Sequence, residues 1–126
     1  MDLVVRAFPV LPGKEDEMQQ FARDLQTARA SGAAAFYSSL GIGHESWHVQ
    51  QHAEGLWVIV ITEFSGKTMA AAASEYAGAQ EGFANWFKER VRSVTGIDPD
   101  TMPLGPPTNC VLHLHAGAAV DNDAAH

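Results

Sequence analysis

The sequence predicts an α+β domain whose elements follow the order βαββαβ, with a four-stranded antiparallel sheet carrying both helical regions on one face. Three observations point there. Two stretches repeat apolar residues every three or four positions, as amphipathic helices do. Short β-prone runs flank them, and one run, Trp57-Val58-Ile59-Val60-Ile61, is apolar without interruption. The chain has 126 residues, 46% hydrophobic and 18% charged, which suits a single core burying roughly two-thirds of the surface an unfolded chain exposes. Residues 1–116 are read as one domain and residues 117–126 as a C-terminal tail.

The first strand spans residues 3–10 (LVVRAFPV), with Pro9 near its end and Pro12-Gly13 turning the chain into a helix. From Lys14, the residues Met18, Phe21, Ala22, Leu25 and Ala28 hold helical spacing, and Glu15, Asp16 and Glu17 sit where they favour the helix dipole. Ser31-Gly32 should bend or end this helix, which continues through Phe36, Tyr37 and Leu40 until Gly41 and Gly43 stop it. Residues 45–51 and 56–64 form a hairpin around His52-Ala53-Glu54-Gly55. The second helical region covers residues 68–76 and, after Gly78, the Phe83 to Val94 periodicity closed by Gly96. Residues 97–108 hold four prolines and should form an extended connection on the surface. Residues 109–115 alternate Val111, His113 and His115 with Cys110, Leu112 and Leu114, the pattern of a final half-buried strand.

With both helical regions on one face, the other sheet face needs a ligand or a second copy of the chain. Strand parity places Val5, Ala7, Val58, Val60, Leu112 and Leu114 under the helices. The open face then carries Val4, Arg6, Phe8, Trp57, Ile59, Ile61, Glu63, His113 and His115. The middle strand depends on its turn. A two-residue turn at Ala53-Glu54 buries Trp47 and Val49 and turns Ser46, His48 and Gln50 to the open face, whereas a three-residue turn reverses the two sets.

Charge and composition exclude several classes. Eight basic and fifteen acidic residues give a net charge of −7, which opposes binding to phosphate backbones, so no nucleic-acid partner is expected. The longest apolar run falls far short of the about 20 residues that cross a bilayer, so no membrane partner is expected either. One cysteine and an apolar stretch near the start too short for a signal peptide predict a cytoplasmic protein.

The candidate site residues follow from the open face. His44-Glu45-Ser46-Trp47-His48 matches the zinc-protease spacing HExxH. In a strand, however, those histidines lie ~13 Å apart and cannot share a metal. His113 and His115, ~7 Å apart on one strand face, suit a general base or simply the polar side of an edge strand. Candidate catalytic groups are therefore His48, His113 and His115. The ligand-binding candidates are Trp57, Arg6 as anion anchor and Glu63 as its charge partner, and no metal site is expected.

Short strings add a resemblance. Ala7-Phe8-Pro9-Val10-Leu11-Pro12-Gly13-Lys14, Glu45-Ser46-Trp47, Val60-Ile61-Thr62-Glu63-Phe64 and Asn85-Trp86-Phe87-Lys88 resemble the ferredoxin-like, dimeric α+β barrel superfamily. The likeness is to its small uncharacterised bacterial members and, more distantly, to antibiotic-biosynthesis-monooxygenase-like proteins. It covers the chain to about Pro107. It implies a homodimer joined through the open sheet face, with Glu63 facing the cavity. Many monooxygenase-like and haem-degrading members place a His on the second helical region; this chain has Tyr76 and Phe83 there, and no cofactor is expected.

Two functions follow. One is a homodimeric small-molecule-binding protein running cofactor-independent oxygenase- or isomerase-like chemistry on a small aromatic or carboxylated metabolite. The other is a non-catalytic assembly module whose open face is only a dimer interface.

Overall fold

The computed structural model describes residues 2–116. The chain runs β1 (Asp2–Pro9), α1 (Glu15–Gln26), α2 (Ala30–Ser39), β2 (Ile42–His52), β3 (Gly55–Phe64), α3 (Met69–Gly78) and α4 (Gly82–Thr95). The strands form an antiparallel sheet of three, ordered β1-β3-β2. None of the described helices is long and apolar enough to cross a membrane.

The two-residue turn at Ala53-Glu54 is the one formed, because His52 pairs with Gly55. It fixes the faces of β2. Glu45, Trp47 and Val49 lie opposite Thr62, Val60 and Val58 on the helix side, though Val49, expected to be buried, is 48% exposed, and Ser46, His48 and Gln50 lie on the open side.

Four expectations about the fold are corrected. In β1, Val4, Arg6 and Phe8 pair with Thr62, Val60 and Val58, so they face the helices, while Val5 and Ala7 face outward. Apolar residues occupy both sides of this strand, so its own alternation selects neither; pairing with β3 decides.

The first helical region breaks at residues 27–29 rather than at Ser31-Gly32. There the Asp24 carbonyl accepts from the Thr27 and Arg29 N–H groups (3.3 and 2.7 Å), and Thr27 Oγ1 donates to Arg23 O at 2.7 Å. Gly32 lies inside α2. A Cβ there would come within 2.7 Å of the Phe83 ring, so the glycine lets the two helical regions approach.

The fourth strand is absent among the described residues. Past α4 the chain reaches the outer edge of β1 through an Arg6–Pro107 bridge and a 2.7 Å hydrogen bond from Thr108 Oγ1 to Val5 O. Pro107 has no N–H with which to extend a ladder, and beyond it the residues predicted as a strand run exposed, Val111 at 95% and Leu114 at 75%.

Aromatic rings fill the space between sheet and helices. Phe21 meets Trp47, Trp86 and Phe87 edge-on at 5.1 to 5.5 Å, and Phe36 contacts Tyr76 and Phe87 at 5.7 and 5.6 Å. Glu17 ties α1 to α4, accepting from Ser93 Oγ (3.0 Å), Arg90 Nη1 (2.7 Å) and Lys14 Nζ (3.3 Å). The Ser93 hydrogen bond, supported by the Lys14 and Arg90 charges, holds its carboxyl below the usual range.

Residues 97–105 do not lie on the surface as a simple linker. Pro99 is fully buried, and Gly105, with φ +77°, sits so close that a Cβ would lie 2.3 Å from the Phe8 ring. Gly105→Ala should therefore lower stability by about 2–4 kcal/mol through left-handed strain and overpacking. A urea midpoint equivalent to a loss under about 1 kcal/mol would show that the segment is not seated as described.

Candidate functional site

The sheet and helices do not close completely, and a cavity of about 110 Å³ remains between them. Its floor comes from the inward faces of the strands, with Val4 and Arg6 from β1, Val60 and Thr62 from β3, and Glu45 and Trp47 from β2. Phe87, Val91 and Tyr76 stand above it. Residues 97–105 form one wall, contributing Pro99, Met102, Pro103 and Leu104.

That wall is pinned by charge. Asp100 accepts from buried Lys88 Nζ at 2.7 Å and from Arg92 Nη2 at 2.9 Å, while Arg92 Nε donates to Asp98 at 2.9 Å. Lys88 is 1% exposed and also donates to the carbonyls of Ala77 (3.0 Å) and Ala79 (2.8 Å) at the end of α3. One ammonium thus joins α3, α4 and the wall of the cavity. Asp98 is held below the usual carboxylate range, first by the Asp100 backbone N–H and then by Arg92.

Two charged side chains line the cavity, and they are held differently. Glu45 is saturated by neutral donors: Oε2 accepts from Tyr37 OH (2.6 Å) and Trp47 Nε1 (2.8 Å), and Oε1 accepts from Thr62 Oγ1 (2.7 Å). Burial, reinforced by the Glu45 charge, pushes the Tyr37 hydroxyl well above its ordinary range, and the same causes raise Tyr76. Both phenols stay protonated at neutral pH.

Arg6 has no carboxylate partner among the described residues. Its Nη1 donates to Val5 O at 3.1 Å, Nη2 reaches only the Met69 thioether at 3.6 Å, and the buried Nε has no partner. Burial without a counter-charge lowers the guanidinium pKa from its ordinary value. Arg6 and Glu45 sit two strands apart and one residue pair out of step, which puts their Cα atoms roughly 12 Å apart.

Of the residues singled out from sequence, Arg6 alone lines this cavity. Glu63 pairs with Leu3 and His44 on the opposite face, so no Arg6–Glu63 pair forms. Trp57 is on that outer face too, its ring 5.9 Å from that of His52. His48 is exposed beside it, with Nε2 3.0 Å from Ser46 Oγ. His113 and His115 are exposed, their rings 4.4 Å apart, outside the sheet. The histidines and Arg6 therefore do not converge. Among the described residues no group of three or more His, Cys, Asp or Glu side chains could hold a metal ion.

Sequence reasoning missed Tyr37, Thr62 and Lys88, and weighed Glu45 only within the HExxH string and through the hairpin register. A partial signal exists: once the two-residue turn is chosen, Glu45 must share the inward face of Trp47. Tyr37 and Thr62 join it only through packing of α2 and β3. No family model, no curated protein and no solved structure matches this chain.

Proposed function

We propose that the chain binds a small, mainly apolar molecule in the cavity beneath its helices and acts as a homodimer joined through its open sheet face, in the manner of dimeric α+β barrels. The observation that carries the binding reading is the cavity itself. An interior normally packs to the density of an organic crystal, yet here apolar walls enclose about 110 Å³ beside a charged side chain. A cavity of about 150 Å³ admits benzene, so the expected occupant is no larger than a single ring. The accompanying reaction class is cofactor-independent oxygenase- or isomerase-like chemistry, with the Glu45 carboxylate beside the ligand in place of the three distant histidines.

The dimer reading rests on the other face. Leu3, Val5, Trp57, Ile59 and Ile61 point away from the helices; Leu3 is 57% exposed and the other four are half-buried. Pure chain should run at twice its 13.5 kDa mass in solution, and Ile59→Asp should run as a monomer. A monomeric parent protein at micromolar concentration would remove the dimer. Single-ring compounds should raise the unfolding temperature by mass action, and failure of every such compound would leave only the assembly-module reading.

A further inference from the structure

From the contrast between its two charged groups, we infer that the cavity selects a small monocarboxylate, its carboxylate seated on Arg6 and its apolar body against the ring and aliphatic walls. The inference rests on the cavity being a ligand site. Glu45 lies on the same floor and could in principle have neutralised Arg6, but Tyr37, Trp47 and Thr62 take its charge instead. Among the described residues no counter-charge meets the guanidinium.

The guanidinium is also arranged for such a partner. Its Nη1 edge is spent on Val5 O, whereas the Nε–Nη2 edge holds one donor with no acceptor and one facing a thioether. That edge is the side of an arginine that grips a carboxylate through two parallel hydrogen bonds. A thioether is a weak acceptor on a flexible, 39% exposed side chain, so a carboxylate displacing Met69 replaces a poor contact and satisfies the orphaned Nε. One guanidinium matches one negative charge. Apolar walls elsewhere penalise a second, which favours a monocarboxylate over a dianion.

The test compares isosteres on the intact chain at neutral pH by titration calorimetry and by the fluorescence of Trp47, whose ring lines the cavity. The pairs are isobutyrate with isobutyramide and benzoate with benzamide, with inorganic phosphate as a third probe. The expected result is at least tenfold tighter binding of the acid than of its amide in one pair or both, and no competition by phosphate. Arg6→Met should erase the preference while keeping amide binding, and Arg6→Lys should restore part of it. Equal affinity of acid and amide would overturn the carboxylate inference and leave the cavity reading intact. Competition by phosphate at comparable concentration would overturn it in favour of a general anion site. Binding of none of these probes would overturn both. The acid-to-amide comparison needs no variant, so a misfolded Arg6→Met protein cannot shelter the inference.

Discussion

Lys88→Met should lower the stability of the chain by about 3 kcal/mol, the cost of leaving two partly buried carbonyls without their donor and removing a charge-assisted contact to Asp100. The methionine keeps the apolar stem and deletes the ammonium, so the loss reports the hydrogen bonds rather than a cavity. Urea unfolding of the variant measures it. The exposed Lys67–Glu75 pair provides the comparison, since Lys67→Met should change stability by no more than about 0.5 kcal/mol. Hydrogen exchange should localise the damage: the amides of Met102 and Gly105, bonded to Asp98 O and Met102 O, should exchange faster than those of β3. An unchanged midpoint would mean that Lys88 does not hold the cavity wall in place.

Alkali should unfold the chain cooperatively, and its tyrosines should ionise only as it unfolds. The sequence has two tyrosines, and burial, with Glu45 as the next cause, raises both above the ordinary value of 10.0. The unfolded chain releases these protons near pH 10, and the folded chain retains them. Above pH 10 the unfolded state therefore binds fewer protons, and stability falls as pH rises. Each ring contributes a slope of up to about 1.4 kcal/mol per pH unit, so two give about 2.7, large beside a typical total of about 5–15 kcal/mol. Tyrosinate absorbance and circular dichroism followed together should show one coincident transition. Tyrosinate appearing with a midpoint near pH 10 in a chain that keeps its helices would refute the packing of Tyr37 against Glu45.

Much of the fold was legible because local chemistry and long-range pairing agree. The start of the first helix, the second helical region with its Gly96 stop and the hairpin at Ala53-Glu54 form where the residues predict them. The inward face of β1 was not legible. Strand parity with Val5 and Ala7 set inward placed Arg6 outward, but the pairs Val4–Thr62, Arg6–Val60 and Phe8–Val58 with β3 turn it inward. The same inversion moved the site. A cavity sought on the open sheet face lies beneath the helices instead, and Glu63, Trp57 and His48 are on the wrong side of the sheet to reach it. Lys88 was invisible for another reason. Its position in α4 gives no hint that the end of α3 and the Asp98–Asp100 turn converge upon it.

The seating of Gly105 on Phe8 and of Thr108 on Val5 O leaves two residues between them, Pro106 and Pro107. Each proline ring fixes its own φ, so this stretch has little torsional slack. The cavity wall and the exposed segment beyond Thr108 are thus opposite ends of one stiff lever whose fulcrum is the outer edge of β1. The same short stretch therefore lines the cavity through Met102, Pro103 and Leu104 and closes the outer edge of β1 through Pro107 and Thr108.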